Sequence, residues 1–388
     1  MGLRISPILF HGEEDMKMTS GFSNILKNST ASVKKNTGVS VGFHDPDTWV
    51  STGNYALNYR ISGYFDRGIP LGKVAMFAGE SGSGKSFIVS GNLAREAQKQ
   101  GIFVVMIDSE NALDSDWLHA LGVDTSEDKL LKVNMGMIGD VAKFTYEFID
   151  GYRKEYENVP KEERTKVLFI IDSIGMLNTE IANDQMKAGN LKGDMGHKPK
   201  QLKAYITNCV NSIGSLNIGM VCVNHSYESQ DMFNPDPKVS GGSGLIYASS
   251  MVIAMGKLKL KEDEDGNKTS DVSGIRAKCK VMKTRYNKPF EDVEIKIPWD
   301  NGMDPRSGLL DMFEKYGLVT KSGNRLLYVD IDTGEQILKF RKAWMNNEDQ
   351  CLDLIMNQFK RHPMITPVSE EEKGDESFGT DVEESGEE

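Results

Sequence analysis

The eight residues "GESGSGKS", Gly79 to Ser86, place three glycines, three serines and one lysine directly after the apolar run "VAMFA". Their spacing is G-x-x-x-x-G-K-[ST], and every part of it suits a polyphosphate. Gly79 and Gly84 let the backbone fold closely around an anion. The N–H groups of Glu80, Ser81, Gly82 and Ser83 can then point inward as a nest, with a helix N-terminus behind them. Lys85 supplies a mobile positive charge for β- and γ-phosphates, and the Ser86 hydroxyl is a ligand for Mg²⁺. A turn alone needs one or two glycines. The run that follows, "SFIVSGNLAREAQKQ", has the periodicity of an amphipathic helix closed by Gly101. The stretch reads as the binding loop for a nucleoside triphosphate.

Three further runs end in groups that could act on such a ligand. Asp172 ends "VLFIID". On a strand beside the phosphate-loop strand, its carboxylate would hold Mg²⁺ through water; the alternative is a cap for the next helix. Glu110 closes "VVMIDSE", where a carboxylate can orient and deprotonate an attacking water, and Asp108 competes for that role on spacing alone. Asn224 and His225 end "IGMVCVNH". A donor there could touch the γ-phosphate and report its loss to the loop beyond, or the two could be a satisfied polar pair at a strand end.

The segments after these runs carry a second kind of signal. Residues 186–203, "MKAGNLKGDMGHKPKQLK", hold five lysines against one aspartate. Residues 225–244, "HSYESQDMFNPDPKVSGGSG", are glycine-rich and contain Tyr227 and Phe233. Read as long loops, they suit single-stranded nucleic acid, since lysines track phosphates while side chains wedge between bases. Each alone could equally be a solvated loop. Both follow sheet strands, on the edge where open α/β sheets bind ligands.

Positioning these groups requires a sheet. "KVAMFA", "GIFVVMIDSE", "KVLFIIDS", "IGMVCVNH" and "ASSMVIAMGK" are β-branched or apolar runs separated by helical or loop segments. That alternation predicts an α/β fold with a mostly parallel sheet covered on both faces. "RAKCKVMKTRYNKPFEDVEIKI" predicts two antiparallel strands at one edge, with Lys283 and Arg285 on a strand and pointing the same way by its period of two. A short helix "LLDMFEKYG" and a hairpin around "VDIDTGEQI" predict a small C-terminal module. The expected organisation is an N-terminal segment over 1–45, with one short helix in "SNILKNSTASVKK", a core over 46–300, the module over 301–365 and an acidic tail over 366–388.

The formal net charge of −11 argues at first against nucleic acid. Residues 369–388, however, hold ten acids and one lysine, nine of those eleven charges, which leaves the body at −2. Such a tail is disordered by composition, and beside a DNA-binding body it competes with phosphate for basic surface. No run of eighteen apolar residues suggests a membrane span. "MGLRIS" fits the loose myristoylation pattern, but nothing downstream supports a membrane address. The four cysteines form no C-x-x-C pair, and Cys209 and Cys222 lie in apolar runs, which points to a reducing cytoplasm and away from zinc.

The order and spacing of "YRISGYFDRGIPLGKVAMFAGESGSGKS", "IDSENALDSDWLHALGVD", "FIIDSIGML", "VNHSYE" and "GGSGLIYASS" are similar to RecA-type recombinases. "VNHSYESQDMF", "GMDPRSGLLDM" and "DTGEQI" resemble the family's phage branch, and the likeness runs over about residues 50 to 350. It implies a RecA-type P-loop NTPase core with a short N-terminal oligomerisation segment and a small C-terminal module. It also implies a DNA-dependent ATPase using ATP and Mg²⁺, with Gly79 to Ser86 as the phosphate loop, Ser86 and Asp172 at the metal, and Glu110 rather than Asp108 as catalytic glutamate. Asp114 and Trp117 match adenine-contacting positions. His225 stands where bacterial members have a glutamine sensor. Lys192, Lys198 and Lys200, then Tyr227, Phe233, Lys238, Gly241 and Gly242, fall in the two DNA-binding loops. Lys283 and Arg285 match a basic pair that reaches the neighbouring subunit's ATP. The partners implied are single-stranded and duplex DNA, further copies of the chain in a helical filament, a single-strand-binding protein and a recombination mediator. The rival readings are a RecA-like hexameric helicase, which would need an additional N-terminal domain, and an ATP-gated scaffold, which needs no water-activating base.

Overall fold

The apolar runs of the sequence form one sheet in the structure, a computed structural model that describes residues 23–25, 27–29, 45–190, 196–227, 238–240, 242–262, 269–300 and 302–361. After a short antiparallel pair, β1 (Trp49–Val50) with β2 (Ile69–Pro70), come β3 (Val74–Gly79), β4 (Phe103–Asp108), β5 (Leu130–Asn134), β6 (Val167–Asp172), β7 (Ile218–Tyr227), β8 (Lys238–Val239), β9 (Met251–Leu260), β10 (Gly274–Lys283) and β11 (Asp292–Pro298). The spatial order is β11-β10-β9-β3-β7-β6-β4-β5, with β8 attached to β7. From β9 to β5 the neighbours run parallel, while β10 and β11 add an antiparallel edge. The expected mostly parallel sheet and the antiparallel edge are both present. Two strands of this sheet are not announced by an apolar run: β5, whose "LLKVN" is short and half polar, and the two-residue β8, inside the stretch expected to be a loop.

Alternation explains why the central strands read as continuous apolar runs. In β3, Val74, Met76 and Ala78 enter one buried cluster, while Ala75 and Phe77 enter the other. In β6, Val167, Phe169 and Ile171 share the first cluster and Leu168 and Ile170 the second. Helices cover both faces, so every position must be apolar. The helix after the phosphate loop begins with π-type turns over Phe87–Leu93, continues over Ala94–Lys99, and ends before Gly101 at φ +71°.

The chain divides into two units, Met1–Asp45 and Pro46–Glu388. In the first, helical residues are described at 23–25 and 27–29, inside "SNILKNSTASVKK". In the second, the C-terminal elements are the helix Leu309–Lys315, an antiparallel sheet of β12 (Val319–Ser322), β13 (Arg325–Val329) and β14 (Gln336–Lys339), and the helix Cys351–Arg361. The hairpin expected at "VDIDTGEQI" is the β13–β14 pair. Phe313, Tyr328, Trp344 and Phe359 belong to the same buried cluster as Phe77 and Leu57, so these elements share the core of the sheet. The four cysteines are free and buried. Among the described residues, no helix is long and apolar enough to cross a membrane.

Candidate active site and adjoining loops

β3 delivers the chain to the phosphate loop at Gly79, where only glycine fits: a Cβ there would lie 2.3 Å from the Met255 carbonyl oxygen on β9. Gly82 and Gly84 turn the loop with φ of +73° and +89°, a region that L side chains avoid. Lys85 is buried, and its Nζ donates to the carbonyls of Gly79 at 2.9 Å and Glu80 at 2.7 Å. Burial lowers the Lys85 pKa, while the negative charges of Asp172, Glu110 and Glu80 act to raise it. The carboxylates expected at this site are thus close enough to act on its central cation.

Parallel register brings the strand ends to one edge. Gly79 pairs with His225, and Asp108 pairs with Asp172. One expectation is corrected: Asp172 is not on the strand next to the phosphate loop, because β7 lies between β3 and β6. The helix after the loop closes the gap. Ser90, four residues beyond Ser86, donates to Asp172 Oδ2 at 2.7 Å, and the Ser86 hydroxyl also bonds the Asp172 carboxylate. Burial raises the pKa of Asp172, opposed by those two hydroxyls. A desolvated carboxylate with a serine hydroxyl is a hard, all-oxygen donor set, which fits Mg²⁺ sharing its other positions with phosphate and water. Among the described residues, no cluster of three or more His, Cys, Asp or Glu is arranged to hold a metal by itself.

The two candidate bases differ sharply in surroundings. The Asp108 carboxylate is buried, accepts from the backbone N–H groups of Glu110, Ala112 and Leu113, and pairs with Lys132 at 3.0 Å. Burial pushes its pKa up, but the Leu113 N–H and the Lys132 ammonium outweigh that and hold it below the usual 3.8. Glu110 is exposed; its Oε1 accepts from Ser173 Oγ at 2.7 Å and lies 3.1 Å from His225 Nε2. Among the described residues, both Asp108 oxygens have partners, whereas both hydrogen-bond contacts of the Glu110 carboxylate fall on Oε1. Ser173 and Ser90 escaped the sequence reading, although each follows a chosen residue at a telling interval: one position after Asp172, and one helical turn after Ser86.

Asn224 is buried, and its Nδ2 donates to the Ser240 carbonyl at 2.8 Å, tying the end of β7 to the returning chain. Asp114 caps the helix Ser115–Ala120 by accepting from Trp117 N–H at 2.7 Å, and Trp117 packs partly buried against the core.

The loops are shorter than the sequence implied. Residues 186–203 are not one loop, for the helix Glu180–Lys187 runs into them and the helix His197–Ile213 begins within them. "HKPKQLKAYI" has helical periodicity that the lysine count masked. Lys198 and Lys200 therefore stand in the first turns of a helix, where Lys198 Nζ donates to the Gly175 carbonyl at 2.6 Å and Lys200 is exposed. Nor are residues 225–244 twenty structureless positions: β7 continues to Tyr227, Tyr227 pairs antiparallel with Lys238, and the helix Ser243–Ala248 starts after Gly242. Lys192, Phe233 and Gly241 lie outside the described residues.

Lys283 and Arg285 do not share a strand face. β10 ends at Lys283 after a register shift between Val281 and Lys283, and Arg285 lies beyond it, exposed. Lys283 pairs with Val252 at the start of β9, and its Nζ donates to the carbonyls of Ile246 and Tyr247 at 3.0 and 2.8 Å. Gly79 pairs with Met255, and Lys257 touches the phosphate loop. Five strand residues, roughly 16 Å, separate Val252 from Lys257. Lys283 thus stands at the opposite end of β9 from its own phosphate loop.

A glycine-lined anion nest, a hydroxyl–carboxylate pair and a glutamate over the C-terminal edge of a parallel sheet define a P-loop nucleotide-binding α/β protein. The sequence profile of the RecA N-terminal domain matches residues 33–304, and the chain belongs to that family. It is 27% identical over 351 residues to the recombination and repair protein of Enterobacteria phage T4, covering 88% of this chain and 83% of that protein. Against protein RecA of Corynebacterium jeikeium the identity is 26% over 343 residues, covering 86% and 83%. Against protein RecA of Anaplasma marginale it is 26% over 292 residues, covering 74% and 73%.

Proposed function

We propose that the chain is an ATP-dependent recombinase that polymerises on single-stranded DNA, pairs it with a homologous duplex and exchanges strands. The observation that carries this reading is the contact between Glu110 and His225. It links the candidate base to the strand that leads straight into the second loop, so that loss of the γ-phosphate can be felt by a DNA-binding segment.

In this reading the phosphate-loop N–H groups and Lys85 hold the triphosphate. Ser86 and Asp172 would hold Mg²⁺, which supplies positive charge to the β- and γ-phosphates. Glu110, oriented by Ser173 and His225, takes the proton of the attacking water. Lys198, Lys200 and the residues around 225–244, with Lys192, Tyr227, Phe233, Lys238, Gly241 and Gly242 among them, face the nucleic acid. Asp114 and Trp117 flank the adenine. Lys283 and Arg285 serve the triphosphate of the adjoining subunit. A single-strand-binding protein and a mediator would work with the filament, in a reducing cytoplasm, that of the host if the chain is phage-encoded.

A strand-exchange assay between circular single strands and a homologous linear duplex tests this. Joint molecules with ATP, and none with the Lys85→Ala chain, are expected. Unwinding without homology would favour the helicase, and assembly with neither turnover nor exchange would favour the scaffold.

A further inference from the structure

β9 flanks β3 on the side away from β7, and its residue Lys257 meets the phosphate loop. Lys257 Nζ donates to the Ser81 carbonyl at 2.5 Å and lies 3.5 Å from Glu80 Oε2. The Lys257 backbone N–H donates to Glu80 Oε1 at 3.3 Å. A Cβ placed on Gly82 would lie 3.6 Å from Lys257 Nζ, so the ammonium sits against the third and fourth residues of the loop. Its charge also reaches Lys85, where it acts to lower the pKa.

We propose that Lys257 is a second cation of the nucleotide site, acting within its own subunit to read the terminal phosphate of a nucleoside triphosphate, with Glu80 holding it ready beside the loop. The proposal rests on the nucleotide-site reading above. Both side chains of the Lys257–Glu80 pair are more than a third exposed, and such pairs contribute little to stability. A triphosphate carries more negative charge than one carboxylate and competes with it for the same ammonium. Glu80 is thereby a stand-in counter-ion, and the exchange favours tri- over diphosphate.

The test is calorimetric titration of the full chain with a non-hydrolysable ATP analogue and with ADP, each with Mg²⁺. Lys257→Gln is expected to weaken the triphosphate analogue roughly tenfold and ADP less than twofold, the size of one charge-assisted contact. Glu80→Gln is expected to tighten the analogue a few-fold by freeing Lys257, and Lys257→Arg to preserve the preference. Equal weakening of both nucleotides in both variants would mean that the pair only braces the loop, and unchanged affinities would remove Lys257 from the site. Should Lys257→Gln not fold, Glu80→Gln decides alone: tighter analogue binding supports the proposal, and unchanged or weaker binding overturns it. Lys85→Ala serves as the separate control. If it still binds both nucleotides the site itself is misassigned, whereas if it binds neither and Lys257→Gln shows no preference, only the role of Lys257 falls.

Discussion

Glu110 Oε1 and His225 Nε2 stand 3.1 Å apart, although β6 lies between the strands that carry them. Ser173, at the end of that intervening strand, donates to the same oxygen. A carboxylate held by two donors from two strands is pre-oriented, and removing its charge should affect the chemical step more than binding. Glu110→Gln is expected to retain ATP-dependent assembly on single-stranded DNA while losing turnover by roughly 10²- to 10⁴-fold. Steady-state ATPase beside a DNA-binding titration measures both. Surviving turnover would move the base elsewhere.

Asp108→Asn should behave in the opposite way. Its carboxylate is buried against three backbone donors and Lys132, so the substitution should cost about 2–4 kcal/mol of stability. The pKa of Asp108 is depressed in the folded chain. Its contribution is therefore fully present above the unfolded value near 3.8 and is lost as pH falls through the lower folded value. Thermal melts of wild type and variant should differ most near neutrality, begin to approach each other only below about pH 4, and meet once the pH is under the depressed folded value. A gap that does not change with pH would contradict the ion-pair origin.

The position of Lys283 bears on how turnover depends on assembly. It lies at the far end of β9 from its own phosphate loop, so a basic pair acting on ATP would have to act on the next subunit. Lys85→Ala, and the double change Lys283→Ala with Arg285→Ala, should each abolish DNA-stimulated ATPase. Mixed equally, they should recover about a quarter of wild-type interfaces, because half the phosphate loops and half the basic pairs remain intact. The rate against mixing ratio on single-stranded DNA checks this, and a flat line at background would end the trans arrangement.

Deleting residues 369–388 removes nine of the chain's eleven net negative charges and leaves a body of −2. Single-stranded DNA should then bind more tightly, with the largest gain at low salt, where the tail competes best with phosphate. Identical affinities for full-length and truncated chains across a salt series would reduce the tail to a solubilising role.

The phosphate loop was legible in the sequence because its chemistry is local: Gly79, Gly84, Lys85 and Ser86 must be adjacent in the chain to wrap one anion. The central strands were legible for a related reason, since a strand covered on both faces has to be apolar at every position, as "VAMFA" and "VLFIID" are. The candidate acids at strand ends were also visible, yet spacing could not rank Asp108 against Glu110. Their difference arises from Lys132 on β5, from Ser173 just beyond β6 and from His225 on β7, partners 24 to 115 residues away. The same holds for the order of β3, β7 and β6, for the Lys257 contact with the loop, and for the placement of Lys283 at the other end of β9. Local spacing encodes turns, caps and the direction a strand points. Which strands pair, and in what register, is decided by long-range burial of both sheet faces, and that pairing determines which charged groups meet.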